Sequence, residues 1–255
     1  MPIKTTIVSQ IHRLVSNHTM ITTSNISDIV DAEHETIMND HAWTRRKNEY
    51  VFHTVAPYST GSVAASAASS TVTGTDTVWT SSFVDRYIRI ASTNAYYRIS
   101  ARSSDTSITV AIDDSGFPSA IAAGTTYSIF QHIYDLPSTF GRVLSVATDN
   151  KLGEVTRPDI DRFDPYRTAT ASRPDRFCIL GVDSPTSSSG VYQIELYPVP
   201  SSAFQVRVQF LQSSTLTDST VPLYRSDVLV WKSAESAAFF LFARTGDQAW
   251  AELAN

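Results

Sequence analysis

The sequence has few of the features that cross-link small proteins or bind them to nucleic acid. Its 255 residues include one cysteine, Cys178, which excludes an intramolecular disulfide and a cysteine-based zinc knuckle. Charged residues make up only 18% of the chain, against the usual quarter. The net charge is −5, and no basic stripe is present. Tight nucleic-acid binding, which needs such a stripe to neutralise phosphates, is therefore not expected.

Long apolar runs are also missing. No run approaches the roughly 18 residues of a membrane-spanning helix. The N-terminal residues 1–17 lack the apolar stretch and the small-residue cleavage site of a secretory signal peptide. We therefore expect a soluble protein made in the cytoplasm, which would reach the outside of a cell only by assembly or lysis.

The sequence carries no motif of nucleophilic or phosphate chemistry. It contains no G-x-S-x-G elbow, no Walker loop and no dinucleotide fingerprint. Cys178 lies in the apolar segment 177–180, where a buried and inert thiol is expected. We predict that the protein is not an enzyme and needs no cofactor, although a triad assembled from distant residues stays possible.

Three segments have the apolar spacing of amphipathic helices. The first spans Lys4 to Val15, with Ile7, Ile11 and Leu14 on one face. The second is predicted to start at Ser24 or Asn25 and to reach about Asp40. The third begins at Ser226 and ends near Gly246. A short turn with Trp250 and Leu253 follows.

The middle of the chain is rich in serine and threonine and has the pattern of short β-strands. Gly, Asp and Ser clusters separate the β-prone pieces, at the spacing of a small antiparallel barrel or sandwich. The predicted strands are residues 50–55, 61–67, 70–73, 87–91, 96–101, 107–112, 125–131, 142–147, 177–182, 192–199 and 203–211. Residues 151–175 show turn residues and little periodicity, which predicts a long surface loop.

These elements predict an α+β fold. The N-terminal helix pair and the C-terminal helix each have an apolar stripe to bury, and they are expected to pack together as a helical frame. The predicted domains are residues 1–56 with 212–255 as the helical assembly frame, 57–134 as an inserted small antiparallel β-barrel or sandwich, and 135–211 as a second β region.

Two groups of polar residues raise the question of a metal site. Glu33, His34, Glu35 and His41 lie on the second helix, but the two histidines are seven apart, whereas zinc metalloproteases use HExxH. Asp159, Asp161 and Asp164 lack the glycine and the distal glutamate of a calcium-binding loop. We predict no metal site and interpret these groups as a polar helix face and a solvated loop. The pair Asp113 and Asp114 before Gly116 is interpreted as a turn.

Four residues are the candidate partner-binding positions. Arg45 and Arg46 precede Lys47 and lie beside an aromatic residue, and arginine is enriched in interface hot spots. DNA contact is an alternative for this basic run. Trp250 and Leu253 either fold back onto the helices or insert into a partner's groove as a helical anchor. Insertion is the preferred hypothesis.

Several strings, taken in order, resemble the head-to-tail connector, or adaptor, proteins of tailed bacteriophages that carry a β insertion. The resemblance covers most of the chain and rests on the order of helices, insert, Leu-Pro exit and Tyr-Pro-x-Pro strand. The strings are Val55–Gly61, Thr73–Thr75, Trp79–Ile90, Tyr96–Ile99, Tyr134–Pro137, Leu196–Pro200 and the helix that begins with Asp227.

The resemblance implies a structural virion protein at the head-tail junction, made in the cytoplasm of the host. It implies a ring of about a dozen copies docked on the portal protein, with a central channel for the genome. Residues 151–175 depart from the family in charge and proline content. Whether the tailward partner is a tail tube, a nozzle or a further adaptor therefore stays open.

The net negative charge suggests a channel through which DNA slides without specific binding. The alternative to an adaptor is a β-rich virion protein that binds a receptor or a glycan, with Tyr and Trp side chains of the insert stacked on sugars. A hydrolase with a dispersed active site is a third possibility.

Overall fold

The computed structural model describes residues 4–15, 19–40, 46–93, 95–113, 115–181, 191–213 and 226–246. It is a mixed α+β protein with four helices in this part of the chain and mostly antiparallel sheets. The chain divides into two compact units. We call residues 1–48 with 210–255 the helical unit, and residues 49–209 the β unit. The helical unit is thus assembled from both ends of the sequence.

Three helices build the helical unit: α1 (Lys4–Leu14), α2 (Thr23–Asp40) and α4 (Ser226–Thr245). All three predicted helices are therefore present. Their shared core is apolar and takes residues from each of them. The members are Ile7, Val8, Ile11, Val15, Ile21, Ile26, Val30, Met38, Leu229, Ala234, Ala237 and Leu241. No helix among the described residues is long and apolar enough to cross a membrane.

Helix α2 begins slightly earlier than predicted because of its capping residue. The Thr22 hydroxyl accepts a hydrogen bond from the Asn25 backbone N–H at 3.2 Å, and the Asn25 side chain accepts one from the Thr22 N–H at 3.1 Å. This reciprocal pair satisfies two backbone donors at the helix start. The predicted starts, Ser24 and Asn25, lie inside the first turn.

The largest sheet of the β unit is a curled half-barrel of seven strands in the order β7-β2-β3-β6-β5-β4-β8. Every neighbouring pair in it is antiparallel. Its strands are β2 (Ser62–Ala65), β3 (Thr71–Thr75), β4 (Tyr87–Ile90), β5 (Tyr96–Ser104), β6 (Ser107–Ala111), β7 (Ile121–Thr125) and β8 (Tyr127–Phe130). The predicted strand 125–131 corresponds to β8, whereas β7, which ends at Thr125, was not predicted.

The half-barrel closes over an apolar core with Trp79 at its centre. Trp79 is fully buried, and its indole N–H donates to the Tyr127 hydroxyl at 3.0 Å. The Tyr127 hydroxyl donates in turn to the Thr60 carbonyl at 2.6 Å. These bonds satisfy the polar atoms of both aromatic residues, so that their large apolar surfaces can be buried.

Two smaller sheets complete the strand set. One has the order β11-β12-β13-β9 and is made of β9 (Ile133–Asp135), β11 (Gly153–Glu154), β12 (Arg176–Leu180) and β13 (Gln193–Tyr197). Its β11–β12 pair is parallel, and its other pairs are antiparallel. The other has the order β1-β14-β10, from β1 (Lys47–His53), β10 (Phe140–Ala147) and β14 (Gln205–Gln212).

The predicted long loop at residues 151–175 is wrong. The segment contains strand β11 and a seven-residue helix, α3 (Arg157–Phe163). Thr156 and Asp159 form a capping box, and a proline stands in the first turn, where its missing N–H has no cost. A helix of two turns is too short to show apolar periodicity, and therefore only its capping residues could have revealed it.

Candidate functional site

The face of α4 that points away from the helical core also carries large apolar side chains. Leu229, Ala237 and Leu241 are buried, whereas Val228, Trp231 and Phe239 on the opposite side are 48%, 68% and 62% exposed. At 100° per residue these three exposed side chains fall within one 80° sector of the helix. Glu235 lies within the same sector and pairs with Lys232 at 3.4 Å, so the apolar side chains surround an ion pair. The outer face of α4, defined by Val228, Trp231 and Phe239, is thus a surface typical of interaction sites.

A groove of about 550 Å³ lies between α1 and α4. Apolar side chains of Leu14, Val230 and Trp231 form part of its wall, and polar side chains form the rest. The polar lining residues are Gln10, Arg13, Ser226 and Asp227. Its volume is in the range of pockets that hold drug-sized molecules or bulky side chains. Trp231 belongs both to this groove and to the outer face of α4.

Helix α2 presents acidic residues on its exposed side. Asp28, Asp31 and Glu35 are exposed at a spacing that aligns them along one face. Asp31 accepts a hydrogen bond from Lys4 at 2.7 Å. The helix contains no lysine or arginine. This face is therefore a surface of negative potential within the helical unit.

A second group of functional side chains is the ionic cluster of the β unit, which we define as Glu195, Arg167, Arg157, Asp161 and His132. Glu195 is fully buried on β13, and its Oε1 lies 2.7 Å from Arg167 Nε and 2.6 Å from Arg167 Nη2. Arg167 Nη2 is also 2.7 Å from Asp161 Oδ1. The Arg157 guanidinium lies 3.7 Å from Glu195 Oε2.

The turn after α3 holds Arg167 in place. Arg167 has a φ of +52°, a left-handed conformation that L side chains rarely adopt. Asp164 stabilises this turn, since its carboxylate accepts from the backbone N–H groups of Thr168 and Ala169 at 2.7 and 3.1 Å. Burial opposes ionisation of Asp164, but these hydrogen bonds outweigh it and lower its pKa. Likewise, burial opposes the charge on Arg167, whereas Glu195 and Asp161 stabilise it and raise its pKa.

His132 is the member of the ionic cluster that lacks a hydrogen bond. Its side chain is fully buried, and neither ring nitrogen has a hydrogen-bond partner among the described residues. Tyr87, Phe130 and Tyr96 surround the ring, with centroid distances of 4.7, 5.3 and 5.6 Å. Burial, with the nearby positive charges of Arg167 and Arg157, lowers the pKa of His132 to about 3. The imidazole is therefore neutral near pH 7.

Cys178 adjoins the ionic cluster but has the wrong surroundings for a nucleophile. Its Sγ lies 3.8 Å from Glu195 Oε2. Burial and the negative charge of Glu195 raise the pKa of the thiol to about 12. Reactive cysteines have lowered pKa values and partial exposure, and Cys178 has neither. The expected inert thiol agrees with this geometry, and the cluster has the contacts of a structural ion-pair network.

The predicted partner-binding residues fall mostly outside the described residues: Arg45, Trp250 and Leu253 all do. Arg46 is described and buried. Its guanidinium donates to the carbonyl of Met38, and its Nε and Nη2 donate to that of Gln212 at 3.0 and 2.9 Å. Arg46 as a partner contact stays a prediction, and its side chain already has acceptors within the helical unit.

The residues considered for a metal site are not brought together. Among the described residues, no group of three or more His, Cys, Asp or Glu side chains could hold a metal ion. His34 is buried, and burial lowers its pKa. His41 lies outside the described residues. Asp114 does too, whereas the Asp113 carboxylate accepts from the Ser115 hydroxyl at 2.5 Å.

The prediction of a solvated loop for Asp159, Asp161 and Asp164 is wrong. Asp159 caps α3, Asp161 pairs with Arg167, and Asp164 is buried in the turn. The ionic cluster itself was not predicted. Strand alternation places Glu195 on the opposite face from Ile194 and Leu196 and so suggests a solvated side chain, but β13 lies between β9 and β12 and is covered on both faces. The unusual charge and proline content of residues 151–175 was the one available signal.

The sequence of the chain matches no known family model and no curated protein.

Proposed function

We propose that this chain is a structural virion protein, an adaptor subunit that forms a ring between the portal protein and the tail of a tailed bacteriophage. The resemblance of its sequence strings suggests this class of protein. The outer face of α4 supports assembly through the helices, because Val228, Trp231 and Phe239 are exposed to solvent in the single chain. A partner that covers these side chains would remove apolar surface from water, with a gain of about 25 cal/mol for each Å².

The outer face of α4 is the observation that carries the proposal. Other large apolar side chains are exposed as well, but those of the β unit are distributed over several elements, from Val51 on β1 to Tyr192 before β13. Isolated exposed apolar residues are common on monomeric proteins, whereas an aligned set on one element is typical of an interface. Assembly is therefore assigned to α4.

In this proposal, the helices are the assembly frame and the β modules inserted between α2 and α4 reach towards neighbouring proteins. The portal is the partner on the head side. A tail tube, a nozzle or a further adaptor is the partner on the tail side. In this proposal the ionic cluster has a structural role within the β unit and performs no chemistry.

The genome would pass through the ring without specific binding. The acidic side of α2, with Asp28, Asp31 and Glu35 exposed, is suited to such a channel because it repels phosphates. A basic surface would instead hold DNA through the release of counterions.

The alternative function, a receptor- or glycan-binding virion protein, is weakened because the tryptophan best suited to sugar stacking is buried. Trp79 is the one tryptophan between residues 57 and 134, and it is fully buried and bonded to Tyr127. It therefore cannot stack on a sugar. The partly exposed tyrosines of the half-barrel, such as Tyr96 and Tyr97, are the aromatic side chains left for this function.

The mass of the assembled particle tests the proposal. Native mass spectrometry of the purified chain, alone and with the portal protein of the same phage, is expected to show a ring of about a dozen copies in at least one of the two samples. A stable trimer, or a monomer that binds a glycan and ignores the portal, would contradict the adaptor function.

Two phenylalanine variants provide a matched test of the surface. Phe239→Ser removes an apolar side chain from the outer face of α4, and Phe163→Ser removes one with 52% exposure from the β unit. We expect the first variant to weaken ring formation at least about tenfold, since each 1.4 kcal/mol of lost binding energy is a factor of ten. The second variant should assemble normally. Equal ring formation by the two variants would contradict the assignment of assembly to α4.

A further inference from the structure

The groove between α1 and α4 suits an occupant with large apolar side chains. Its wall combines the apolar side chains of Leu14, Val230 and Trp231 with one exposed charge of each sign, Arg13 on α1 and Asp227 on α4. Grooves of this kind accept short amphipathic segments that insert one or two large apolar side chains. Arg13 attracts a carboxylate of such a segment and Asp227 repels one, so that carboxylates beside the anchors are expected on the α1 side of the groove.

The chain itself contains a segment with this chemistry after Gly246. Residues 247–253 read DQAWAEL, with two acidic and no basic residues. Trp250 and Leu253 are three apart in sequence, which is the spacing that places two side chains on one face of a helical turn. The segment therefore offers two apolar anchors with Asp247 and Glu252 close to them.

The segment is too short to place both of its anchors in the groove of its own chain, because Trp250 cannot reach it. The groove lies at the N-terminal end of α4, between Asp227 and Trp231, and α4 ends at Thr245. At 1.5 Å per residue, the middle of the groove is about 25 Å from Gly246. Four residues from Gly246 to Trp250 extend at most about 14 Å. The remaining gap of about 11 Å exceeds the length of an indole side chain.

We propose that residues 247–253 of one copy occupy the α1–α4 groove of a second copy, with Trp250 and Leu253 as the anchors. The contact is heterologous, since a tail on one subunit meets a groove on the next. Repetition of such a contact closes into a ring when the rotation between subunits allows it. The inference rests on the proposed function in naming the partner, a second copy of this chain, and adds the two surfaces that meet.

Cysteine cross-linking tests this contact in the full chain. The chain's one native thiol, Cys178, is buried, and introduced cysteines are therefore the reactive ones. Gln10→Cys places a thiol in the groove without removing an apolar wall residue, and Ala251→Cys places one in the tail beside Trp250. The two variants are mixed under mild oxidation, and the covalent dimer is measured on a denaturing gel. Ser9→Cys, on the same helix but not in the groove wall, replaces Gln10→Cys as the matched control.

We expect at least about tenfold more covalent dimer from the Gln10→Cys and Ala251→Cys mixture than from the control mixture, because a seated tail raises the local thiol concentration towards the millimolar range. Adding Trp250→Ala and Leu253→Ala to the tail variant should reduce the dimer to the control level. If rings form by native mass without this cross-link, the tail contact is overturned and the proposed adaptor function stands. If the double variant Gln10→Cys with Ala251→Cys closes a bridge within one chain and yields no dimer, the exchange between copies is overturned.

Discussion

The helical unit and the β unit bury different kinds of side chain. The helical core is built from aliphatic side chains and alanine, and α4 leaves Trp231 and Phe239 in solvent. The β unit covers Trp79 and buries an ion pair between side chains, Arg167 with Glu195, whereas the buried Arg46 of the helical unit donates to backbone carbonyls. The aligned apolar side chains of α4 are thus a feature of the helical unit, and we look there for the contacts of the proposed assembly.

The largest expected effect comes from a variant that breaks the ionic cluster. Glu195→Ala leaves Arg167 buried without its principal counter-ion, and we expect the free energy of unfolding to fall by about 3–5 kcal/mol. Urea denaturation followed by circular dichroism measures it. Asp85→Ala, which removes an exposed carboxylate 2.9 Å from Arg98, is the control and should cost less than about 1 kcal/mol. Similar losses for both variants would show that the cluster adds nothing beyond a surface pair.

The next prediction compares a substitution on the buried face of α4 with one on its outer face. Leu241→Ala opens a cavity in the helical core and should lower the free energy of unfolding by about 2–5 kcal/mol. Phe239→Ala, on the outer face, should change it by less than about 0.5 kcal/mol when measured at a concentration too low for assembly. A large loss for Phe239→Ala would mean that this side chain is packed within the single chain.

Acid should weaken the β unit through His132. Its pKa is lowered to about 3 in the folded state, against about 6.5 in an unfolded chain. Below pH 6.5 the unfolded chain therefore binds the proton that the folded chain excludes. Stability falls as the pH drops from about 6.5 to about 3, by up to 1.4 kcal/mol per pH unit.

His132→Phe fills the aromatic surroundings without a titrating group and should reduce this slope in urea denaturation between pH 6.5 and 4. The slope left over is assigned to His34, whose pKa is also lowered by burial, and near pH 4 to Asp164, whose pKa is lowered by hydrogen bonds that outweigh its burial. His53→Gln, at an exposed position of β1, is the control for the substitution of a histidine. An unchanged slope in His132→Phe would show that the buried imidazole is not the group that titrates.

The smallest effect concerns the start of α3. Thr156→Ala removes the capping hydroxyl and should lower the free energy of unfolding by about 1 kcal/mol. The fraction of molecules in which the β unit is open should then rise roughly fivefold. Cys178 reports it, because its thiol is buried with a pKa of about 12 and reacts with iodoacetamide only when the β unit opens. Ser172→Ala, in the same segment but outside α3, is the comparison. Equal labelling rates in Thr156→Ala and the parent chain would contradict a stabilising cap.

The helices were predictable because their signals are local. The apolar spacing of Ile7 and Ile11 in α1 and the glycine after α4 each identify an element without reference to the rest of the chain. Most strands of the β unit were found for the same reason. Strand β7 was not predicted, since its Ala-Ala-Gly stretch has little β-propensity and pairs only with β2 at the edge of the half-barrel.

The ionic cluster could not be predicted because its members meet only after the sheets have formed. His132, Arg167 and Glu195 are separated by 35 and 28 positions in sequence, and no short motif links them. The exposure of Trp231 was equally hidden, since the apolar pattern of α4 gives no indication of which side faces α1 and α2. Both facts depend on long-range packing, for which a single sequence carries no direct signal.

The helical unit is formed from the two ends of the chain, and this has a consequence for its synthesis. Helices α1 and α2 leave the ribosome first, yet α4, which completes their core, follows only after a further 185 residues, from 41 to 225. At 5–20 residues per second this takes roughly 10–40 s. The β unit, whose residues are all made before α4, can fold within that interval. The surface proposed for assembly therefore becomes complete last, after every residue of the β unit has been made.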